Sequence, residues 1–294
     1  MNRRELTLGV AAAAVAGAAS AQTAPAAIAQ GTPNTPFYTA YADQIGRLPQ
    51  AIQADVRAFY DLNGWRPVWN ADRLRKLNDA SNRAERHGLA KGDFFDFVGL
   101  AADPDSADVR TTGAALAYAK VLAEGRVRPE TVEDLWEMQK NVVDLPAGLN
   151  DAMVQNKVLE WFEGLAPTDI GYNNLSAGYV RYRRIIRAGG WPLFRAGTAI
   201  EPGQSDTRVP TIIQRLVAEG DLSEADGSRL TAQGLVYGPE LQAAVRGFQA
   251  RHGLAADGRI GAGTQSSLGA SADDRARQIA LNLERRRWLK RDVN

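Results

Sequence analysis

The chain of 294 residues contains no cysteine and two histidines. Without a thiol there is no disulfide framework and no thiolate nucleophile. Two histidines and no cysteine do not furnish a zinc site, and no His-Glu-x-x-His segment is present. Beyond the N-terminal region no long apolar run occurs, so no membrane span is expected. Excess charge of one sign is also missing: 35 basic residues face 34 acidic ones. Removal of Arg3, Arg4 and Glu5 with an N-terminal signal leaves 33 of each. A near-neutral chain argues against nucleic acid as a partner, because duplex binding needs a concentrated basic face. A phosphate-cradling loop is absent, since Gly261-Ala262-Gly263 lacks the lysine and the preceding strand. No Gly-x-Ser-x-Gly elbow occurs, and no cofactor is expected. The pairs Glu130…Glu133 and Glu160…Glu163 have helical-surface spacing and read as solvated. Carboxylate separation is a spatial quantity, however, and a muramidase-like hydrolase stays open as a third reading.

The N-terminus carries an export pattern. Asn2-Arg3-Arg4 is positive, Leu6 to Ala19 is apolar and small, and Ala19-Ser20-Ala21 is an A-x-A cleavage site ahead of Gln22. The run is short for a span, so residues 1–21 are expected to be a cleaved signal and the chain periplasmic. An ordinary Sec-type signal is the expected route, although Arg3-Arg4 with Leu6 and Leu8 resembles a twin-arginine signal. Residues 22–36 are rich in Ala, Pro and Thr and read as a flexible leader.

The remainder reads as helices with short breaks. The segment Ala51–Tyr60 is amphipathic, and Gly64 ends that unit. A helix opens at Ala71 and runs through Arg86 to a stop at His87-Gly88-Leu89. Further helices are expected over Thr111–Gly125, Met153–Phe162, Leu175–Ala188 and Pro210–Ala218, with a sharp break at Gly189-Gly190-Trp191-Pro192. Trp65, Trp69, Trp191 and Trp288 are expected as core plugs rather than sugar-stacking platforms, as is usual for aromatics at helix breaks beside proline. Arg285-Arg286-Arg287 reads as a solvated helix face.

The richest stretch is Tyr237–Leu268. Leu241, Val245 and Phe248 recur at i, i+4, i+7 and form one apolar helical face. Pro239 suits a first turn, His252-Gly253-Leu254 is a helix stop, and Asp257-Gly258 is a turn. Leu254 and Ile260 complete the expected core. This stretch resembles the small three-helix peptidoglycan-binding repeat of bacterial cell-wall enzymes. The resemblance implies murein as the ligand. Gln249, Arg251, His252, Asp257 and Arg259 are the polar residues around that small core, and they are the candidate contacts. Arg and Asp can hydrogen-bond the hydroxyls, amides and carboxylates of a murein strand, the alternative being an ordinary solvated rim.

A second resemblance runs through Phe59-Tyr60, Trp65-Arg66-Pro67-Val68-Trp69, His87-Gly88-Leu89, Gly125-Arg126, Leu165-Ala166-Pro167, Tyr182-Arg183, Gly189-Gly190-Trp191-Pro192 and Arg208-Val209-Pro210. In that order, and followed by Arg277-Gln278-Ile279 to Trp288-Leu289, these segments resemble the scaffold region of the large periplasmic L,D-transpeptidases. The resemblance implies a mainly α fold. A helical scaffold domain is expected over 37–225, a peptidoglycan-binding domain over 230–270, and a linker helix over 271–294. That family acts through the cysteine of a Ser-His-Gly-Cys motif. His87 and His252 are each followed by Gly-Leu, with no Ser before and no Cys after, so that acyl transfer cannot run on these residues. Two readings follow. One is a non-catalytic, scaffold-type wall-binding protein, with other cell-wall enzymes as possible partners. The other is the front part of an active L,D-transpeptidase whose catalytic domain lies beyond Asn294.

Overall fold

The computed structural model describes residues 35–95, 103–131 and 141–289. The expected signal segment, nearly all of the expected leader, Glu133 and the last five residues lie outside that set. Within the described residues the fold is α-helical, and the only extended pairings are two isolated antiparallel bridges, Ile200 with Ile260 and Ser205 with Val236.

The centre of the first core is a helix named here α5 (Pro104–Glu124). Asp103 caps it by accepting the Ser106 N–H, Pro104 occupies the first turn, and Gly125 (φ 89°) stops it. Its alanines and Leu116, Tyr118 and Leu122 are buried on nearly every side, as expected of a helix surrounded by others. Around it pack α1 (Pro36–Ile45), α2 (Gln50–Leu62), the short α4 (Gly92–Phe95), α6 (Leu145–Val154) and α7 (Val158–Leu165). In turn, α3 (Ala71–Asn82) packs on α7. A Cβ at Gly113 would stand 2.8 Å from both Leu48 methyls, so the small residue sets how closely the α1–α2 corner approaches α5.

The Trp-Arg-Pro-Val-Trp segment is held by one carboxylate. Trp65 is left-handed (φ 55°), and the extended chain beyond it leaves backbone N–H groups without helical partners. Asp108 of α5 accepts the N–H groups of Val68 and Trp69, both at 2.8 Å, and the Tyr60 hydroxyl at 2.7 Å. Burial still holds the Asp108 carboxyl above its ordinary range against those donors. Trp69 donates its indole N–H to Thr112 Oγ1 at 2.8 Å. Trp65, Trp191 and Trp288 are buried and Trp69 is half-buried, so all four act as plugs.

Several helix boundaries depart from expectation, among them the helix expected from Leu175, which begins at Ile170 after its cap Asp169. The helix expected over Met153–Phe162 is two, α6 and α7. Asn156, a residue that tolerates the left-handed region, sits at φ 59° while the Lys157 N–H turns back to the Ala152 carbonyl at 2.7 Å. The helix opening at Ala71 ends at Asn82 and is followed by a 3₁₀ turn, Ala84–His87, closed by left-handed Gly88. The helix expected from Thr111 begins instead at Pro104, because Asp103-Pro104 forms a complete start signal.

The last described helix, α13 (Ala272–Trp288), belongs to the first core rather than projecting from it. A Ser271/Asp274 capping box starts it. It packs along α8 (Ile170–Arg187), with Leu283 and Trp288 buried, so this apolar face is covered within the chain. Arg287, expected on a solvated face, is buried as well. Its guanidinium donates to the His87 carbonyl at 2.8 Å, to the Tyr172 hydroxyl at 3.1 Å and to Glu284 Oε2 at 2.6 Å. Glu284 Oε1 accepts the N–H groups of Arg126 and Val127 and the Trp288 indole N–H. A Cβ on Gly125 would meet Trp288 and Glu284 at 2.7 Å, so glycine at this corner is needed for fit as well as for its positive φ.

His87 reports on this assembly. Its Nδ1 lies 2.9 Å from the Tyr172 hydroxyl, whose oxygen accepts from Arg287. The ring and the hydroxyl share this one hydrogen bond, and at neutral pH the ring is neutral. Burial, reinforced by the charges of Arg287 and Arg86, brings its pKa down from 6.5 to about 4. The unfolded chain binds this proton near pH 6.5 and the folded chain does not until about pH 4. Stability is therefore full at neutral pH and falls as pH drops through that window, by up to about 3 kcal/mol. His87→Asn, which keeps an acceptor near the hydroxyl, should flatten the pH dependence of urea-denaturation midpoints between pH 6.5 and 4. An unchanged slope would assign the acid sensitivity elsewhere.

Candidate ligand-binding module

A second core gathers Phe194, Ile200, Val209, Ile212, Ile213, Leu216, Leu230, Tyr237, Leu241, Val245, Phe248, Ile260 and Leu268. It is built from α9 (Val209–Glu219), α10 (Glu224–Ala232), α11 (Pro239–Arg251) and α12 (Ala262–Gly269). The sequence reading grouped α9 with the preceding helices, yet Val209, Ile212, Ile213 and Leu216 are buried in this second core. Leu254, expected inside, is half-exposed.

The five candidate contacts divide into two groups on opposite sides of α11. Gln249, Asp257 and Arg259 come together. Gln249 is not a rim residue. It is buried, donating through Nε2 to Asp257 Oδ1 (3.0 Å), the Arg259 carbonyl (2.9 Å) and Thr264 Oγ1 (3.1 Å), while its Oε1 accepts the Gly258 N–H (2.8 Å). It therefore shapes the Asp257-Gly258-Arg259 turn from beneath. Gly258 has φ 76°, and the Tyr237 hydroxyl donates to its carbonyl at 2.6 Å. Asp257 and Arg259 are exposed at the turn, and Arg259 is paired with Glu201 at 2.5 Å. A Cβ on Gly258 would meet Gln242 Cγ at 2.6 Å and Arg246 Nε at 3.0 Å. Those two α11 side chains thus lie over the same turn. The sequence reading did not name them, although 242, 246 and 249 are spaced at i, i+4, i+7 and share a helix face.

Arg251 and His252 face a different cluster. Glu219 at the end of α9 is buried with Arg215, their charged groups 3.2 Å apart. Arg251 donates to Glu219 Oε2 at 3.1 Å and also holds Asp221, while Tyr182 of α8 donates its hydroxyl to Glu219 Oε1 at 2.8 Å. His252 Nε2 is 3.8 Å from Glu219, beyond hydrogen-bond length. Burial pushes the Glu219 carboxyl up, but Arg215 and Tyr182 outweigh it and hold the group well below its ordinary value. Arg215 also donates to the carbonyls of Leu268 (3.1 Å) and Ala270 (2.7 Å) and lies 3.7 Å over the Trp191 ring. Nothing in the sequence pattern marks this cluster as buried, since Arg215 and Glu219 at i, i+4 look like a solvated surface pair.

Glu160 and Glu163 are both exposed, and Glu163 is paired with Arg83. Among the described residues no three His, Cys, Asp or Glu side chains are grouped to hold a metal, and no helix is long and apolar enough to cross a membrane.

Two family models match the chain. One, described as a scaffold domain, covers residues 54–178. The other, described as a putative peptidoglycan binding domain, covers residues 205–268 and therefore takes in α9 through α12. No curated protein matches the chain significantly. These matches give the chain a peptidoglycan-binding role and an extracytoplasmic, cell-wall setting.

The two groups should respond differently to truncation. Glu219→Ala leaves two arginines facing a void at a buried position and should cost about 3–5 kcal/mol in urea denaturation. Arg259→Ala removes an exposed pair and should leave the denaturation midpoint in place. Equal midpoints for the two variants would contradict the burial of the Glu219 cluster.

Proposed function

We propose that this chain is a wall-binding scaffold protein, similar to the non-catalytic front half of an L,D-transpeptidase. It holds peptidoglycan through the turn that Gln249 supports. The observation carrying this reading is the coincidence of the peptidoglycan-binding match over 205–268 with a discrete second core. Asp257 and Arg259, with Arg246 and Gln242 beside them, offer a carboxylate, cationic donors and an amide on one exposed surface. Such a set suits the hydroxyls, acetamido groups and carboxylates of a murein strand. Arg251 keeps part of its guanidinium exposed while bound to Glu219 and Asp221, and so serves both fold and ligand. His252, nearly enclosed, supports that side of α11. The export pattern at 1–21 fits this location, and periplasmic protein should begin at Gln22 by intact-mass measurement. Recovery of the uncleaved chain in the cytoplasm would reject export.

The binding test uses purified sacculi and the whole chain. Arg246→Ala with Arg259→Ala should reduce sacculus retention several-fold while leaving the thermal midpoint unchanged. Gln249→Ala should lower both, because the buried Gly258 N–H loses its acceptor at a cost of about 1–3 kcal/mol. Full retention by the double arginine variant would remove the turn from the binding surface.

The ordered resemblance from Phe59 to Leu289 supports a second reading, in which these residues are the front portion of an active L,D-transpeptidase. A Ser-His-Gly-Cys segment encoded downstream of Asn294 would establish it. On the first reading the chain also takes no covalent mass from a carbapenem.

A further inference from the structure

A groove of about 460 Å³ runs along α8, lined by Asn173, Ser176, Val180, Arg181 and Arg184, with Arg86 from the 3₁₀ turn on its other wall. Residues 173, 176, 180 and 184 are spaced at i, i+3, i+7, i+11, so the floor is one continuous helix face. Several arginines on and beside α8 are neutralised: Arg183 and Arg187 pair with Glu85, Arg83 with Glu163, and Arg286 with Asp169. Arg86, Arg181 and Arg184 are exposed, and none has a carboxylate partner among the described residues. No carboxylate lines the groove, and the acidic side chains closest in the chain are already engaged: Glu85 by Arg183 and Arg187, Asp221 by Arg251.

The groove also leads toward the second core. A Cβ on Gly220 would stand 3.0 Å from an Arg181 terminal nitrogen, and the next residue, Asp221, holds Arg251. Arg86, Arg184, Arg181 and Arg251 thus follow one another along α8 toward the second core. Unpaired guanidiniums in a concave, carboxylate-free lining raise the local concentration of anions, and their planar forks suit carboxylates. Asn173 and Ser176 add neutral donors and acceptors for peptide amides.

We propose that the α8 groove is a second peptidoglycan-binding surface that takes the carboxylate-bearing stem peptides of the polymer. This rests on the peptidoglycan-binding reading above. The ligand is repetitive, so two modest surfaces on one rigid chain engage it together, and the second contact is made at high effective concentration.

The test compares the parent, Arg181→Glu with Arg184→Glu, and Arg181→Lys with Arg184→Lys, as full chains, for binding to purified sacculi at low salt. The charge-reversed variant should bind about tenfold more weakly and melt like the parent, and the lysine variant should retain most of the affinity. The difference between parent and reversed variant should shrink on sacculi whose carboxylates are amidated, and in about 0.5 M salt. If the parent binds and the reversed variant binds equally well, the groove is not a murein surface and the module reading survives. If the loss is the same on amidated sacculi, the arginines do not recognise carboxylates. If reversal instead abolishes binding to phosphatidylglycerol vesicles and leaves sacculus binding intact, the groove faces a lipid surface and the proposal falls. A parent that does not bind sacculi overturns both readings.

Discussion

Glu219 is the point on which the association of the two cores depends. A carboxylate removed from water is costly unless it is surrounded by donors and cations. Here those come from three places: Arg215 on its own helix, Arg251 on α11, and the Tyr182 hydroxyl on α8. The first two lie in the second core, and the third belongs to the long helix that α13 covers. Arg215 then passes the constraint on, through the Ala270 carbonyl and the Trp191 ring, to the segment that starts α13. Trp191 donates its indole N–H to the same Ala270 carbonyl at 3.1 Å. The geometry demanded by one buried charge therefore fixes the approach of α8, α9, α11 and the α12–α13 connection at once.

Arg287 plays the corresponding part inside the first core. It too is a buried cation, and it too is spent on backbone carbonyl, hydroxyl and carboxylate acceptors. Both clusters consist of long charged side chains at helix ends, where free carbonyls and N–H groups need partners. Every ionisable member is held by neighbours within the fold, which suits a rigid presenter of surfaces.

Sequence pattern was most legible where a single helix face or a stop signal carried the information. Leu241, Val245 and Phe248 announced the α11 face, and His-Gly-Leu announced both left-handed stops. Pro239 marked a helix start, and the tryptophans beside prolines proved to be plugs. It was least legible where long-range contacts decide. The separation of α6 from α7 at Asn156 depends on one left-handed residue. The membership of α9 in the second core depends on what its apolar face meets, which periodicity does not reveal. Among the candidate contacts, polarity placed Gln249 on a rim, whereas its amide is satisfied on all sides beneath a turn. Arg251 and Arg259 look equivalent in sequence, yet one is tied to a buried carboxylate and the other to an exposed one.

The placement of α13 bears on how the molecule is made. Arg287 bonds the carbonyl of His87 across 200 residues of sequence, Leu283 fills a core whose other buried members lie between residues 37 and 172, and Trp288 is buried against the Gly125 corner. Loop closure over such a separation comes late, and contacts of this kind slow folding. Until the chain has emerged almost to residue 290, the helices of the first core have a vacant slot along α8, and the His87 carbonyl and Tyr172 hydroxyl lack their Arg287 donor. An emerging chain is thereby kept from completing its first core early.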